Sequence, residues 1–151
     1  MQVAENLEII RSAALAAAKQ GAGLIIFPEM FLTGYNIGDA VFDLAEPPDG
    51  TGTQTAAAIA QEANIALLYG YPEKHDAGVY NSPILIDRHA KVIANYRKTH
   101  LFGPEENRLF HVGDSLVLTS LDELTIGILI CYDVEFPEAV RTLTNAGAQL
   151  I

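Results

Sequence analysis

Three side chains with complementary chemistry stand far apart in the chain. They are Glu29 in Phe27-Pro28-Glu29-Met30-Phe31, Lys98 in Tyr96-Arg97-Lys98-Thr99-His100, and Cys131 in Leu129-Ile130-Cys131-Tyr132-Asp133. A thiol that attacks a carbonyl carbon needs a base for its proton, and the tetrahedral adduct needs a cation or dipole at the developing charge. A carboxylate flanked by Phe27, Met30 and Phe31 is expected to be partly desolvated, which suits Glu29 to general-base work. Lys98 supplies the cation. Each residue alone has a plain structural reading. Free cysteines are among the most buried residue types, a lysine closing a strand is ordinarily a solvated edge charge, and Glu29 alone would be a loop carboxylate. The chemistry lies in the set.

The elements that must position them are legible from periodicity. Val3, Leu7, Ile10, Ala14 and Ala17 line one face of a first helix, which Gly21 and Gly23 end. The run Leu24-Ile25-Ile26-Phe27 predicts a buried strand, closed by Pro28. Residues 32–52 read as irregular, and Thr53 is the expected cap of a second helix through Ala56–Ala63. A strand over Ala66–Tyr71 follows, then a hairpin of Val79–Ile86 and Lys91–Tyr96, then a strand pair of Leu116–Thr119 and Leu124–Ile130. Pro137 and Glu138 open a last helix that Gly147 ends, with Glu138 and Arg141 expected to pair on its face. Each of the three chemical residues therefore falls at the end of a predicted strand, the usual ligand position in open α/β sheets. Cys131 sits between a strand and a turn-helix, where a nucleophile is exposed beside backbone N–H groups. Alternation interrupted by hairpins implies an α/β layered fold with a mixed sheet.

Composition narrows the function classes. The 151 residues are half hydrophobic and 19% charged, which fits one packed domain over residues 1–151. A formal net charge of −10 disfavours phosphate backbones and anionic membranes, so no nucleic acid and no membrane partner is expected. One cysteine allows no intrachain disulfide and no cysteine-rich zinc cage. Met1-Gln2-Val3-Ala4-Glu5 lacks a signal-peptide pattern, which points to the cytoplasm. The glycines of Gly50-Thr51-Gly52-Thr53 lack the third glycine and preceding strand of a dinucleotide loop. His75, His89, His100 and His111 show no metal-ligand spacing.

Three ordered stretches resemble the nitrilase superfamily of carbon–nitrogen hydrolases: Leu24-Ile25-Ile26-Phe27-Pro28-Glu29, Tyr96-Arg97-Lys98-Thr99-His100-Leu101, and Gly127-Ile128-Leu129-Ile130-Cys131-Tyr132-Asp133 with Phe136-Pro137-Glu138. The resemblance implies Glu29 as general base, Lys98 as stabiliser of the oxyanion and intermediate, and Cys131 as nucleophile. It implies that Glu106, with Glu105 beside it as the alternative, holds Lys98 or the attacked group, and that the Tyr132 N–H is a second oxyanion donor. It further implies an α-β-β-α sandwich, a small-molecule amide substrate, no cofactor, no metal, and a homo-oligomer (dimer or higher). Family members begin with a strand before the first helix and continue past the cysteine helix. This sequence reads as a fragment of such a domain, breaking off in the strand begun by Ala148-Gln149-Leu150-Ile151.

The expected activity is hydrolysis of small linear amides to acid and ammonia through a cysteine thioester. Nitriles or N-carbamoyl compounds are alternative substrates for the same three residues. A papain-like protease would need His100 or His111 beside Cys131. A binding or redox-sensing module would leave Cys131 merely oxidisable.

Overall fold

The computed structural model describes residues 3–151. Met1 and Gln2, at the head of the stretch read for a targeting signal, lie outside the described residues. The order is α1 (Val3–Lys19), β1 (Leu24–Ile26), α2 (Ala40–Leu44), α3 (Thr51–Ala63), β2 (Ala66–His75), β3 (Gly78–Ile86), β4 (Val92–Asn95), α4 (Gly103–Leu109), β5 (Val117–Leu121), β6 (Leu124–Ile128), a 3₁₀ turn (Cys131–Glu135) and α5 (Pro137–Asn145). Strands β1-β2-β3-β4 form one sheet, parallel at β1/β2 and antiparallel elsewhere, and β5-β6 form a second antiparallel pair. No helix among the described residues is long and apolar enough to cross a membrane.

Strand alternation sorts the core into layers, because successive side chains point to opposite faces. Leu67, Tyr69 and Tyr71 of β2, with Ile84 and Ile86 of β3, pack against Leu7, Ile10 and Ala14 of α1 and Ala56, Ile59 and Ala60 of α3. The intervening Ala66 and Leu85 turn the other way and meet Leu121, Ile126 and Ile128 of the second sheet. On the far side of β6, Leu143 of α5 lies so close to Gly127 that an added Cβ would sit 2.9 Å from its side chain. Helices, sheet, sheet and helix thus stack as the four-layer α-β-β-α sandwich. The final residues extend along β6, with a bridge between Ile126 and Leu150.

Several expectations need correction. β2 does not end at Tyr71 but runs through Pro72 to His75. Pro72 is tolerated because β1 pairs only with Ala66–Leu68, and the chain that meets that edge further on, at Leu32 and Glu46, bonds Gly70 O, Pro72 O and Lys74 N–H and takes no N–H from Pro72. β2 and β3 therefore make the long hairpin, while β3 and β4 pair across Asp87–Ala90 as expected. The cap of α3 is not Thr53. The helix opens at Thr51, and Glu46 caps it from outside, accepting from the N–H groups of Gly52 at 2.9 Å and Thr53 at 3.1 Å. Short helix α2 lies in the stretch read as irregular, and α4 in a stretch for which no element is expected. Glu138 and Arg141 are both exposed, and no ion pair joins them among the described residues.

Candidate active site

Glu29 stands where the chain leaves β1. Phe27 N–H still bonds Leu68 O at 2.8 Å, and Met30 then takes a left-handed φ of 55°, which turns the backbone sharply. That turn rests on β2 at Gly70, where a Cβ would lie 2.4 Å from Met30 N. Only glycine admits so close an approach. Glu29 Oε1 accepts from Lys98 Nζ at 2.6 Å and from Asn81 Nδ2 at 2.7 Å.

Lys98 stands just beyond β4 and is fully buried. Its N–H bonds Asn81 O at 2.9 Å, and its carbonyl accepts from Gly113 N–H at 2.8 Å. The backbone on both sides thus fixes where the ammonium projects. Nζ also donates to Glu106 Oε1 at 2.9 Å. Burial pushes the Lys98 ammonium down, but the hydrogen bonds and charges of Glu29 and Glu106 outweigh it and hold its pKa above the ordinary lysine value.

Glu106 rises from α4, whose Pro104 sits in the first turn. It is buried, and besides Lys98 it accepts from Phe102 N–H at 2.7 Å and Tyr35 Oη at 2.7 Å. Glu105, the neighbouring alternative, faces outward and pairs with Arg108 at 2.7 Å. Geometry therefore selects Glu106 as the partner of Lys98. Tyr35 is half-exposed. Partial burial, the bond to Glu106 and the nearby charges of Glu106, Glu29 and Cys131 push its phenol above the usual range.

Cys131 is exposed and has a left-handed φ of 45°. A non-glycine residue held there is strained, a condition that clusters at functional sites. Glu29 and Cys131 border one cavity of about 220 Å³, together with Asn81, Gly70, Pro28 and Ile128. Lys98 adjoins it through its bond to Glu29. Tyr132 does not line this cavity. Its ring packs edge-on between Phe102 and Phe136, while its N–H falls in the first turn of the 3₁₀ segment, where helical N–H groups lack intrahelical acceptors.

The two histidines weighed as protease bases lie elsewhere. His100 bonds Asp133 through Nδ1 at 2.9 Å and stacks on Phe136, and His111 packs against Tyr80. Neither lines the cavity that holds Cys131.

The sequence reading missed three polar residues of the site: Tyr35, Asn81 and Asp133. Tyr35 lies in a stretch without periodicity, and Asn81 interrupts an apolar strand, a signal that was there to use. Asp133, two residues after Cys131, enters the sequence reading only as part of the third family-like stretch. It is fully buried and accepts hydrogen bonds from Ile130 N–H, Tyr96 Oη, Thr99 Oγ1 and His100 N–H.

Comparison with known proteins bears on the family and the fold. The family model described as "Carbon-nitrogen hydrolase" matches residues 1–151. The "Hydrolase in pqqF 5'region" of Pseudomonas protegens is 50% identical over 100% of this chain and 53% of its own length. The crystal structure of an amidase from Nesterenkonia sp. superposes with a TM-score of 0.88 at 32% identity, over 99% of this chain and 58% of that one. A variant of the amidase from Nesterenkonia sp. AN1, with covalent addition of the acetamide moiety of fluoroacetamide at its active site cysteine, gives a TM-score of 0.85 at 31% identity, over the same shares of both chains. The chain spans about half the length of the curated relatives it matches. With the family model matching end to end and the sandwich shared with solved relatives, this chain belongs to the carbon-nitrogen hydrolase family.

Proposed function

We propose that this protein hydrolyses the carbon–nitrogen bond of small amides to a carboxylic acid and ammonia through a thioester on Cys131. The observation that carries this reading is the cavity bordered by both Glu29 and Cys131, with Lys98 bound to the same carboxylate.

Glu29 Oε1 is occupied by Lys98 and Asn81, and Oε2 accepts no hydrogen bond among the described residues. Oε2 is the oxygen left to take the Cys131 proton. The sulfur lone pair then forms a bond to the amide carbon, and the carbonyl π electrons move onto oxygen. Lys98 and the Tyr132 N–H stabilise that oxyanion. As the carbonyl reforms, the carbon–nitrogen bond breaks and the nitrogen takes the proton from Glu29 to leave as ammonia. Water attacks the thioester while Glu29 accepts its proton, and the departing thiolate recovers that proton as the acid is released. Glu106 holds Lys98 in register throughout.

An amide is favoured over a nitrile or carbamoyl compound because the Nesterenkonia relative is an amidase, solved as a variant in complex with butyramide. The same reading puts the protein in the cytoplasm, where Cys131 stays reduced, and makes it a homo-oligomer, as the family resemblance implies. The test is intact-mass detection of an acyl adduct on Cys131 after addition of short aliphatic amides, alongside ammonia release. Turnover surviving in Cys131→Ala, or release from nitriles with none from amides, would overturn it.

A further inference from the structure

We infer that Asp133 is a positioning residue that locks the strained Cys131 turn to the segment following Lys98, so that nucleophile and cation are set by one buried carboxylate. The inference rests on the proposed role of Cys131 as nucleophile.

Asp133 closes a ring around Cys131. Its N–H donates to Ile130 O at 2.9 Å, and its Oδ2 accepts from Ile130 N–H at 2.9 Å. Both peptide groups of Ile130 are therefore tied to Asp133, with the left-handed Cys131 held between them. Oδ2 also accepts from Tyr96 Oη at 2.9 Å. Oδ1 faces the other way, accepting from Thr99 Oγ1 at 3.1 Å, His100 N–H at 2.9 Å and His100 Nδ1 at 2.9 Å. Those donors stand on either side of Lys98 in sequence. Asp133 has no exposed surface, so these bonds form in a low-dielectric setting where charge-assisted hydrogen bonds are strong. The geometry joins two segments that are more than 30 residues apart in the chain.

An amide cannot replace this carboxylate. Each carboxylate oxygen accepts from a main-chain N–H that cannot rotate away, Ile130 on one side and His100 on the other. Whichever way an asparagine is turned, its NH₂ opposes one of them. The turn then relaxes and the sulfur moves, and misplacement of about 1 Å costs on the order of 10²-fold in rate.

The experiment compares wild type, Asp133→Asn, Thr99→Val and Tyr96→Phe in the full-length protein. It measures kcat and KM for a short amide, and the pH profile of Cys131 alkylation by iodoacetamide on the folded fraction. The expected result for Asp133→Asn is a kcat loss of about 100-fold with KM little changed and a displaced alkylation profile. Thr99→Val and Tyr96→Phe are expected to give smaller changes of the same kind. If Asp133→Asn does not fold, the two single-donor variants decide the matter by the same measurements. Wild-type kcat and alkylation profile in Asp133→Asn, or in both other variants where it does not fold, would overturn the inference. Cys131→Ala separates the two readings. If it retains turnover, the proposed function fails; if it is inert while Asp133→Asn is unimpaired, only the positioning role fails.

Discussion

Lys98 Nζ lies 2.6 Å from Glu29 Oε1, joining two residues 69 positions apart through an ammonium with no exposed surface. A buried cation in that position holds two strand ends together.

Its removal has a double effect. Lys98→Met leaves the carboxylates of Glu29 and Glu106 without their shared partner, and breaking a buried ion pair from one side costs about 3–5 kcal/mol. Urea denaturation is expected to show a loss of that order. On the proposed mechanism amide turnover is expected to fall by at least about 10²-fold, since Lys98 would be a donor to the oxyanion. A variant as stable as wild type would show that the ammonium does not hold these strand ends together.

Alkaline stability follows from the same ion pairs, which outweigh the opposing effect of burial on Lys98. Lys98 has a folded-state pKa above its unfolded one, so its contribution is whole below about pH 10.4 and is lost as pH rises through the folded value. Tyr69, Tyr71 and Tyr96 act in the same sense, because burial pushes each phenol up. Thermal midpoints should hold level toward pH 10 and fall above it. The fall should be shallower in Lys98→Met.

The acid limb has a different source. Burial acts to raise the Glu73 carboxyl, but the bonds from Arg97, Ser82 and Asn95 outweigh it and leave its pKa below the usual value. A depressed carboxylate contributes stability above its unfolded pKa, about 4.3, and loses it as pH falls toward the folded value. Glu73→Gln is therefore expected to be less stable at neutral pH, with a flatter decline below about pH 4.5. Midpoints measured from pH 7 down to pH 3 check this.

Tyr35→Phe tests the outer edge of the site. It deletes one donor to Glu106 and leaves the aromatic ring. Turnover is expected to fall about tenfold, the size in barrier height of one hydrogen bond to a charged group. The melting temperature should scarcely move, because the ring is half-exposed.

Gly70→Ala touches none of the charged groups, yet its Cβ would meet Met30 N at 2.4 Å. Main chain cannot yield as a flexible side chain can. A stability loss of about 1–3 kcal/mol is expected, with Glu29 displaced and turnover reduced. Unchanged kinetics would mean that the Met30 turn relaxes without moving the carboxylate.

What could be read from the chain beforehand was whatever repeats with a period. The faces of α1 and α3, the ends of β1 and β4, and the strand before Cys131 all carry apolar spacing. That spacing led to a layered α/β fold with a mixed sheet and put Glu29, Lys98 and Cys131 at strand ends, while the α-β-β-α sandwich came from the family resemblance. The illegible parts depend on contacts between distant segments. Tyr35 reaches Glu106 across 71 positions and Asn81 reaches Glu29 across 52, and no local pattern encodes either meeting. β2 continues through Pro72, past the expected end at Tyr71, because a proline argues against a strand only where its missing N–H would have had a partner. The α4 helix carried a usable signal: Pro104, two acids in the first turn and Arg108 in the last.

The shared ammonium also bears on how a reaction cycle would end. Two carboxylates face one cation at Lys98, so the centre carries formal negative charge in excess. An amide is neutral on arrival, but the acid made from it is an anion at neutral pH. If the proposed amide hydrolysis takes place here, the wall that activates the incoming molecule would repel the outgoing one and favour departure of product over its rebinding.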